Sequence, residues 1–252
     1  MKLKIFYNRS VQENAAYYYQ LAKETKKKIE GLIQAIAETK AEMQKAETEE
    51  KPEVRIKKAK QWFEKFHFSY SSGGKLMIGG RNAQQNDQLV SKHMDDNDLF
   101  FHADIQGGSV VILKDGINAE EHELEEAAQF AASFSKSWQN ANAAVDVYSV
   151  RKEQLTKNVS GGFVPSGAFA ILGERKWFKG TRLALRIGIN ETGLLILPNK
   201  SKTELKSQLT LLPSKKGKEK GSLAKSLSKR FKVHVNDLLE ILPNGKTITE
   251  SI

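Results

Sequence analysis

The sequence of 252 residues contains no cysteine. Without cysteine there is no disulfide framework, no thiol nucleophile, no iron–sulfur cluster and no cysteine-ligated zinc. The sequence also lacks an apolar run close to the roughly 18 residues that a membrane helix needs, and its first residues do not form the apolar segment of a signal peptide. We therefore expect a cytoplasmic protein without a membrane partner.

Patterns of metal ligands are equally scarce. The five histidines stand at positions 67, 93, 102, 122 and 234, and none of these spacings matches a metal-binding motif. We therefore predict neither a metal site nor a cofactor.

The sequence has an excess of positive charge, with 40 basic against 30 acidic residues and a net charge of +10. Residues 1–66 carry 15 basic and 10 acidic groups, residues 67–172 carry 8 and 13, and residues 173–252 carry 17 and 7. The net charges of these segments are therefore +5, −5 and +10. This asymmetry favours a polyanionic partner for one face of the protein, although lysines placed only for solubility would give the same total.

The N-terminal quarter has the pattern of a coiled coil. Between Val11 and Ala46 there is no proline, and small or apolar residues recur every seven positions at Ala15, Ala22, Ile29, Ile36 and Met43. A second, shorter helix is predicted from Pro52 to Phe66, with its aromatic residues on one face. We interpret residues 1–66 as an antiparallel helical hairpin whose heptad positions pair internally, dimerise or dock on a partner.

After Phe66 the apolar residues alternate, which is typical of strands. Strand, turn and helix signals follow one another to about residue 200, so we predict an α+β domain over residues 67–200 with a largely antiparallel sheet and packed helices. Residues 201–252 are predicted to form a basic C-terminal extension with short helices. Within it, the lysine-rich segment 213–221 has the composition of a mobile loop.

A glycine pair marks the first candidate binding site. Gly79 and Gly80 stand where a strand passes into a helix, so that backbone N–H groups and the guanidinium of Arg81 can hold a phosphate. Asn82 and Asn86 belong to a run of amides, which donate to and accept from base edges and ribose hydroxyls. The alternative is a tight connection followed by a polar, capped helix.

A second candidate is the strand-like segment that holds Asp98, His102 and Asp104. Because side chains alternate along a strand, these three groups share a face, and such a set can perform acid–base chemistry. No nucleophile or second histidine stands nearby. We therefore favour a buried, hydrogen-bonded histidine and expect that the protein is not an enzyme and has no catalytic residue.

The third candidate is a basic segment with aromatic residues between its cations. Such a composition suits stacking on unpaired bases while the backbone phosphates are gripped, although an aromatic residue here can also belong to the core. The residues concerned are Arg175, Lys176, Trp177, Lys179 and Arg182.

Several segments in one order resemble the NFACT family, specifically its RNA-binding NFACT-R domain, in the form found in archaea. The resemblance extends over about residues 5–190, and the segments that carry it are Trp62–Phe66, Ile78–Asn86, Asp98–Asp104, Glu126–Trp138 and Gly167–Trp177. It implies RNA recognition by the matching residues Gly79, Gly80, Arg81, Asn82, Asn86, Asp98 and His102.

The same resemblance implies a place in translation. NFACT proteins act on obstructed large ribosomal subunits and bind tRNA, and full members carry a further N-terminal part that is not found in this sequence. We therefore expect an RNA-binding module of ribosome quality control, with tRNA or rRNA on the large ribosomal subunit as its partner and a separate NFACT N-terminal-type protein as a possible companion. A tRNA-processing or tRNA-modifying enzyme that uses His102 with Asp98 or Asp104, and a coiled-coil interaction scaffold, remain the alternatives.

Overall fold

The computed structural model describes residues 4–48, 61–159, 162–191 and 193–251. The chain divides into two units, residues 1–55 and residues 56–252. A helix at the N-terminus is followed by antiparallel sheets with packed helices, which confirms the predicted α+β class.

The first unit is built on one long helix, α1 (Val11–Thr48), close to the predicted Val11–Ala46. Its start is capped, because the backbone N–H of Glu13 donates to Oγ of Ser10 and the carboxylate of Glu13 accepts from the N–H of Ser10. The predicted second arm, 52–66, lies mostly outside the described residues. Its final turn is a 3-10 helix, Trp62–Lys65.

The second unit contains five α-helices and two sheets of more than two strands in its described part. The helices are α2 (Ala83–His93), α3 (Glu121–Ser133), α4 (Lys136–Gln139), α5 (Lys220–Phe231) and α6 (Val235–Ile241). The strands are β1 (His67–Tyr70), β2 (Leu76–Gly79), β3 (Leu99–Ala103), β4 (Val110–Leu113), β5 (Ala144–Arg151), β6 (Leu155–Thr156), β7 (Asn158–Val159), β8 (Gly162–Phe163), β9 (Ala170–Ile171), β10 (Lys176–Arg182), β11 (Leu185–Asn190), β12 (Gly193–Pro198), β13 (Lys206–Lys218) and β14 (Thr247–Ser251).

The larger sheet has six antiparallel strands in the order β1, β2, β4, β3, β5, β10. Because side chains alternate along each strand, the sheet has two faces, and a core packs on each of them. Phe101 and Val111 point to one face and pack in the core that includes α3, and we call this the α3 face. Phe100 and Ile112 point to the opposite face and pack with Leu89 of α2, and we call this the α2 face.

The second sheet has four antiparallel strands in the order β12, β11, β13, β14. It shares the core of the α3 face through Leu185 and Leu211. It joins strands on both sides of the predicted boundary at residue 200. The predicted mobile loop at 213–221 is instead the end of β13 and the start of α5, because this basic segment pairs with β14 at the register Lys218 to Thr247.

One predicted helix is divided in the structure. The sequence favours a helix from Asn118 to Gln139 with Glu121 in its capping box, but Asn118 ends a 3-10 turn, and Glu120 and Glu123 form the capping box of α3. The chain turns after Ser133, and α4 begins separately. No helix in the described ranges is long and apolar enough to cross a membrane.

Candidate nucleic-acid interface

A cleft of about 550 Å³ opens beside the turn that joins β2 to α2. Its walls come from this turn, from the loop after β3 and from the segment before β9. Five residues that the sequence singles out line it together: Gly80, Arg81, Asn82, Asn86 and His102. Gly79 is the last residue of β2 and pairs with Val111.

Backbone contacts fix the shape of the glycine turn. The N–H of Gly80 donates to the carbonyl of Val110 at 3.0 Å, and its carbonyl accepts from Oγ of Ser109 at 2.7 Å. A Cβ on Gly80 would lie 2.1 Å from Oδ1 of Asn86. Glycine is therefore required here by close approach, because Asn86 is buried against the turn.

Replacing Gly80 by alanine is expected to lower the free energy of unfolding by about 2 kcal/mol. The added methyl group displaces the Asn86 side chain, whose Oδ1 accepts from the N–H of Val110, and leaves buried polar groups without partners. Urea denaturation measures the change. The matched control is Gly221→Ala in α5, where nothing lies within 4 Å of an added Cβ. Equal stability of the two variants would contradict this account of the turn.

Two polar side chains of the turn, Arg81 and Asn82, already make hydrogen bonds within the protein. Asn82 caps α2 through Oδ1, which accepts from the N–H of Gln85 at 2.9 Å. Arg81 donates through Nη2 to the carbonyl of Phe66 at 3.0 Å, and burial lowers the pKa of its guanidinium. Its buried Nε has no hydrogen-bond partner among the described residues. Arg81 therefore lines the cleft and holds one buried donor that the described residues leave unpaired.

Asp98 does not share the site of His102. Its carboxylate accepts from Nζ of Lys114 at 2.5 Å and from the N–H groups of Asp95 and Asp115. At about 3.3 Å per residue, the four positions between Asp98 and His102 correspond to about 13 Å along the strand. Asp98 is thus buried in a structural network, and the acid–base set that includes it is not assembled.

His102 lies at the cleft end of β3. Burial lowers the pKa of its imidazole, and interactions with the Gly108 backbone and the charge of Asp104 oppose this shift. Its Nδ1 is buried without a hydrogen-bond partner in the described part of the chain. The imidazole is therefore held mainly in its neutral form.

The basic segment is an edge strand, β10, of the six-stranded sheet. Trp177 lies opposite Tyr148 of β5, and its side chain remains 36% exposed. Nζ of Lys179 lies 4.0 Å from the centre of the Trp177 ring, and the guanidinium of Arg175 lies 4.7 Å from that of Tyr148. The Trp177 side chain is therefore accessible, and the charges of Lys179 and Arg175 lie 4.0 Å and 5.8 Å from the centre of its ring.

The other cations of the strand differ in their pairing. Lys176 forms an ion pair with Glu121 at 2.5 Å, and Lys179 forms one with Asp146 at 2.8 Å. Both pairs are exposed, where such contacts contribute little. The exposed side chain of Arg182 makes no ion pair with any residue that the structure describes.

An aromatic row joins the cleft to the edge strand. It consists of His102, Tyr148 and Trp177, which are register partners on β3, β5 and β10. The ring centres lie 5.7 Å apart between His102 and Tyr148 and 5.5 Å apart between Tyr148 and Trp177. All three lie on the α2 face of the sheet. His102 of the second sequence candidate and Trp177 of the third therefore lie on one face of the sheet.

Three residues of this region carry no sequence signal of their own: His67, Lys220 and Asn244. His67 and Asn244 line the cleft, and Nζ of Lys220 donates to Oδ1 of Asn244 at 3.0 Å. They come from β1, α5 and the loop before β14, so only the folded chain brings them to the cleft. Within the described ranges, no group of three histidine, aspartate or glutamate residues is arranged to hold a metal ion.

Comparison with known proteins gives a family match for the part of the chain that holds most of the cleft residues. Residues 65–173 match the family model of the NFACT protein RNA binding domain. The archaeal Rqc2 homolog aRqcH of Methanocaldococcus jannaschii is 37% identical over 199 residues, which cover 76% of this chain and 30% of that protein. The human ribosome quality control complex subunit NEMF is 29% identical over 181 residues, which cover 68% of this chain and 17% of that protein.

The chain spans less than a third of the length of these curated relatives. A solved structure, the C-terminal part of a fibronectin/fibrinogen-binding protein from Streptococcus suis, has 24% identity and a TM-score of 0.41, covering 68% of this chain and 76% of that one. The matched segment holds the glycine turn, α2, the cleft histidine and Tyr148. The resemblance seen in the sequence is thereby confirmed: residues 65–173 of this chain match the RNA-binding domain of the NFACT family.

Proposed function

We propose that this protein holds tRNA or rRNA on the large ribosomal subunit during ribosome quality control, and that it does so without catalysis. The observation that supports this best is the aromatic row, because it connects a polar cleft to a cationic edge strand on one face of the sheet. Single-stranded RNA is bound by this combination of stacking platforms and a cationic groove.

Trp177 is the outer stacking position. Its ring is accessible at the edge of the sheet, and the charges of Arg175 and Lys179 lie close to it. A base placed on the ring would bring its flanking phosphates close to these cations. Arg175 also covers Tyr148, so the guanidinium continues the platform towards the cleft.

One cluster of acidic groups lies on the other side of the sheet. Glu121 and Glu125 belong to α3, which packs on the α3 face, and both form exposed ion pairs with lysines. Asp104 and Asp146 lie near the aromatic row, because Asp104 acts on His102 and Asp146 forms an ion pair with Lys179. The α3 cluster itself faces away from the row, which favours approach of an RNA backbone to the α2 face.

The ribosomal setting comes from the relatives, whose names place them in ribosome quality control. Under this proposal the protein works in the cytoplasm. A separate protein with the N-terminal part of NFACT members is the partner that we would seek first. We expect the protein to copurify with the large ribosomal subunit at low salt and to dissociate from it at high salt.

Replacing Trp177 by alanine is expected to weaken binding of a fluorescently labelled single-stranded oligoribonucleotide by about tenfold, because stacking of one base contributes about 1–3 kcal/mol. Fluorescence anisotropy measures the affinity. The matched control is Trp62→Ala, which removes another exposed tryptophan, one that stacks on His93 at 4.3 Å. Equal losses in the two variants would contradict a stacking role for Trp177.

The catalytic alternative gives a different result. If His102 acts with Asp104, incubation with end-labelled tRNA yields a product whose formation stops in a folded His102→Ala variant. We expect the tRNA to be recovered unchanged with both proteins. Turnover by the wild type that is lost in the variant would overturn the non-catalytic proposal.

A further inference from the structure

The side chains of His67, Arg81 and Lys220 lie near one another at the end of the cleft nearest β1, and their charges affect one another's pKa values. Burial lowers the pKa of His67 well below its usual value, and the charges of Arg81 and Lys220 lower it further. Burial, with a contribution from Arg81, lowers the pKa of Lys220 to about 8. Glu240 acts on Arg81 in the opposite sense. The two positive groups, Arg81 and Lys220, are stabilised by an anion placed near both of them.

Direct contacts place these groups at the cleft. Arg81 donates to the carbonyl of Phe66, the residue before His67, and both Arg81 and His67 line the cleft wall. The ammonium of Lys220 lies 3.0 Å from the side-chain oxygen of Asn244, which lines the same cleft. The cluster is therefore built from β1, the glycine turn, α5 and the loop before β14.

Two polar atoms of the cluster lack partners. His67 is only 7% exposed and its Nδ1 is buried without a hydrogen-bond partner among the described residues, and the same is true of the buried Nε of Arg81. Buried polar atoms in folded proteins are nearly always paired. A ligand with several acceptor oxygens would satisfy such donors, and phosphate is the common biological anion of this kind.

We propose that this end of the cleft binds a phosphate group of an RNA strand, held by Arg81, His67 and Lys220, while the adjacent bases follow the aromatic row. The proposal rests on the proposed function. The cleft volume of about 550 Å³ lies within the range of roughly 300–1000 Å³ that ligand pockets occupy. Because Lys220 and Asn244 lie beyond residues 65–173, the C-terminal segment completes a site begun in the matched domain.

The test uses the full chain and two lysine variants of α5. Lys220→Gln removes the partly buried charge and keeps a hydrogen bond donor, whereas Lys229→Gln makes the same change at an exposed position of the same helix. Affinity for a short single-stranded oligoribonucleotide is measured by calorimetry. Inorganic phosphate is titrated separately while the amide NMR signals of Arg81 and Asn244 are followed.

We expect Lys220→Gln to bind the oligoribonucleotide about tenfold more weakly and Lys229→Gln to bind it within about twofold of the wild type, as loss of one buried phosphate contact predicts. Phosphate should shift the two amide signals to saturation in the wild type and not in Lys220→Gln. Tight RNA binding that is equal in all three proteins, together with the absence of saturable phosphate shifts in the wild type, would overturn the phosphate pocket and leave the proposed function standing.

Two further outcomes separate the proposals. Saturable phosphate shifts with an unchanged RNA affinity in Lys220→Gln would overturn the assignment of the pocket to an RNA strand. Absence of RNA binding by the wild type would defeat the proposed function itself, and the assignment of the pocket to RNA would fall with it.

Discussion

Replacing Arg175 and Lys179 together by glutamate is expected to reduce the affinity for single-stranded RNA by about a hundredfold, or about 2.7 kcal/mol. Both cations lie beside the exposed ring of Trp177, so the double change puts two negative charges where phosphates would lie. The salt dependence should also weaken. The slope of log K against log salt becomes shallower by about 1.4, since each phosphate contact on a single strand contributes about 0.7.

The control for this experiment is Lys27→Glu with Lys28→Glu. These lysines are exposed on α1 in the first unit, and their replacement changes the net charge by the same amount. We expect a loss of less than about threefold, from long-range electrostatics alone. A control pair that loses as much affinity as the β10 pair would show that total charge, and not the edge strand, determines binding. Circular dichroism verifies that both variants are folded.

Replacing Asp98 by asparagine is expected to lower the free energy of unfolding by about 3 kcal/mol. The carboxylate is 2% exposed and accepts from Lys114 and from two backbone N–H groups, so its loss leaves buried donors without their charged acceptor. Lys114 is partly exposed and keeps Asp95, which limits the cost. Urea denaturation gives the free energy of unfolding in water from the measured midpoint and slope.

The exposed ion pair between Asp96 and Lys152 supplies the comparison. Asp96→Asn should change stability by less than about 0.5 kcal/mol, because the Asp96 side chain is nearly fully exposed. RNA affinity separates the two roles considered for Asp98. If folded Asp98→Asn binds RNA as the wild type does, Asp98 stabilises β3 only, and a large loss of affinity in the folded variant would instead support its place among the RNA-binding residues implied by the family resemblance.

Local patterns predicted much of the fold correctly. The long helix α1, the hairpin of β1 and β2, and the strands β3, β4 and β5 all follow from periodicity and turn residues. Periodicity missed the longer strands β10, β13 and β14 and the two-residue strands β6, β7 and β8. Both β10 and β13 are rich in basic residues, because a strand at a sheet edge or with a solvated face needs few apolar residues.

The site was predictable only in part. The glycine turn was evident because Gly79 and Gly80 end a strand before a helix cap, and the amides and His102 indeed line one cleft with Arg81. The distance from Asp98 to this cleft was not evident, because alternation shows which face a residue occupies but not which end of the strand is the functional one. Contacts of Lys220 with the cleft depend on tertiary packing across about 140 positions of the chain, counted from the numbering.

The last strand has a consequence for how this protein is made. Nε1 of the buried Trp138 donates to Oγ1 of Thr247, the first residue of β14, across 109 positions, and β14 pairs with β13 along the second sheet. Contacts between residues so far apart in sequence form late. During translation, the indole and one edge of β13 stay without their partners until β14 has emerged from the exit tunnel, so the nascent chain would be most exposed to proteolysis and misassembly at that stage.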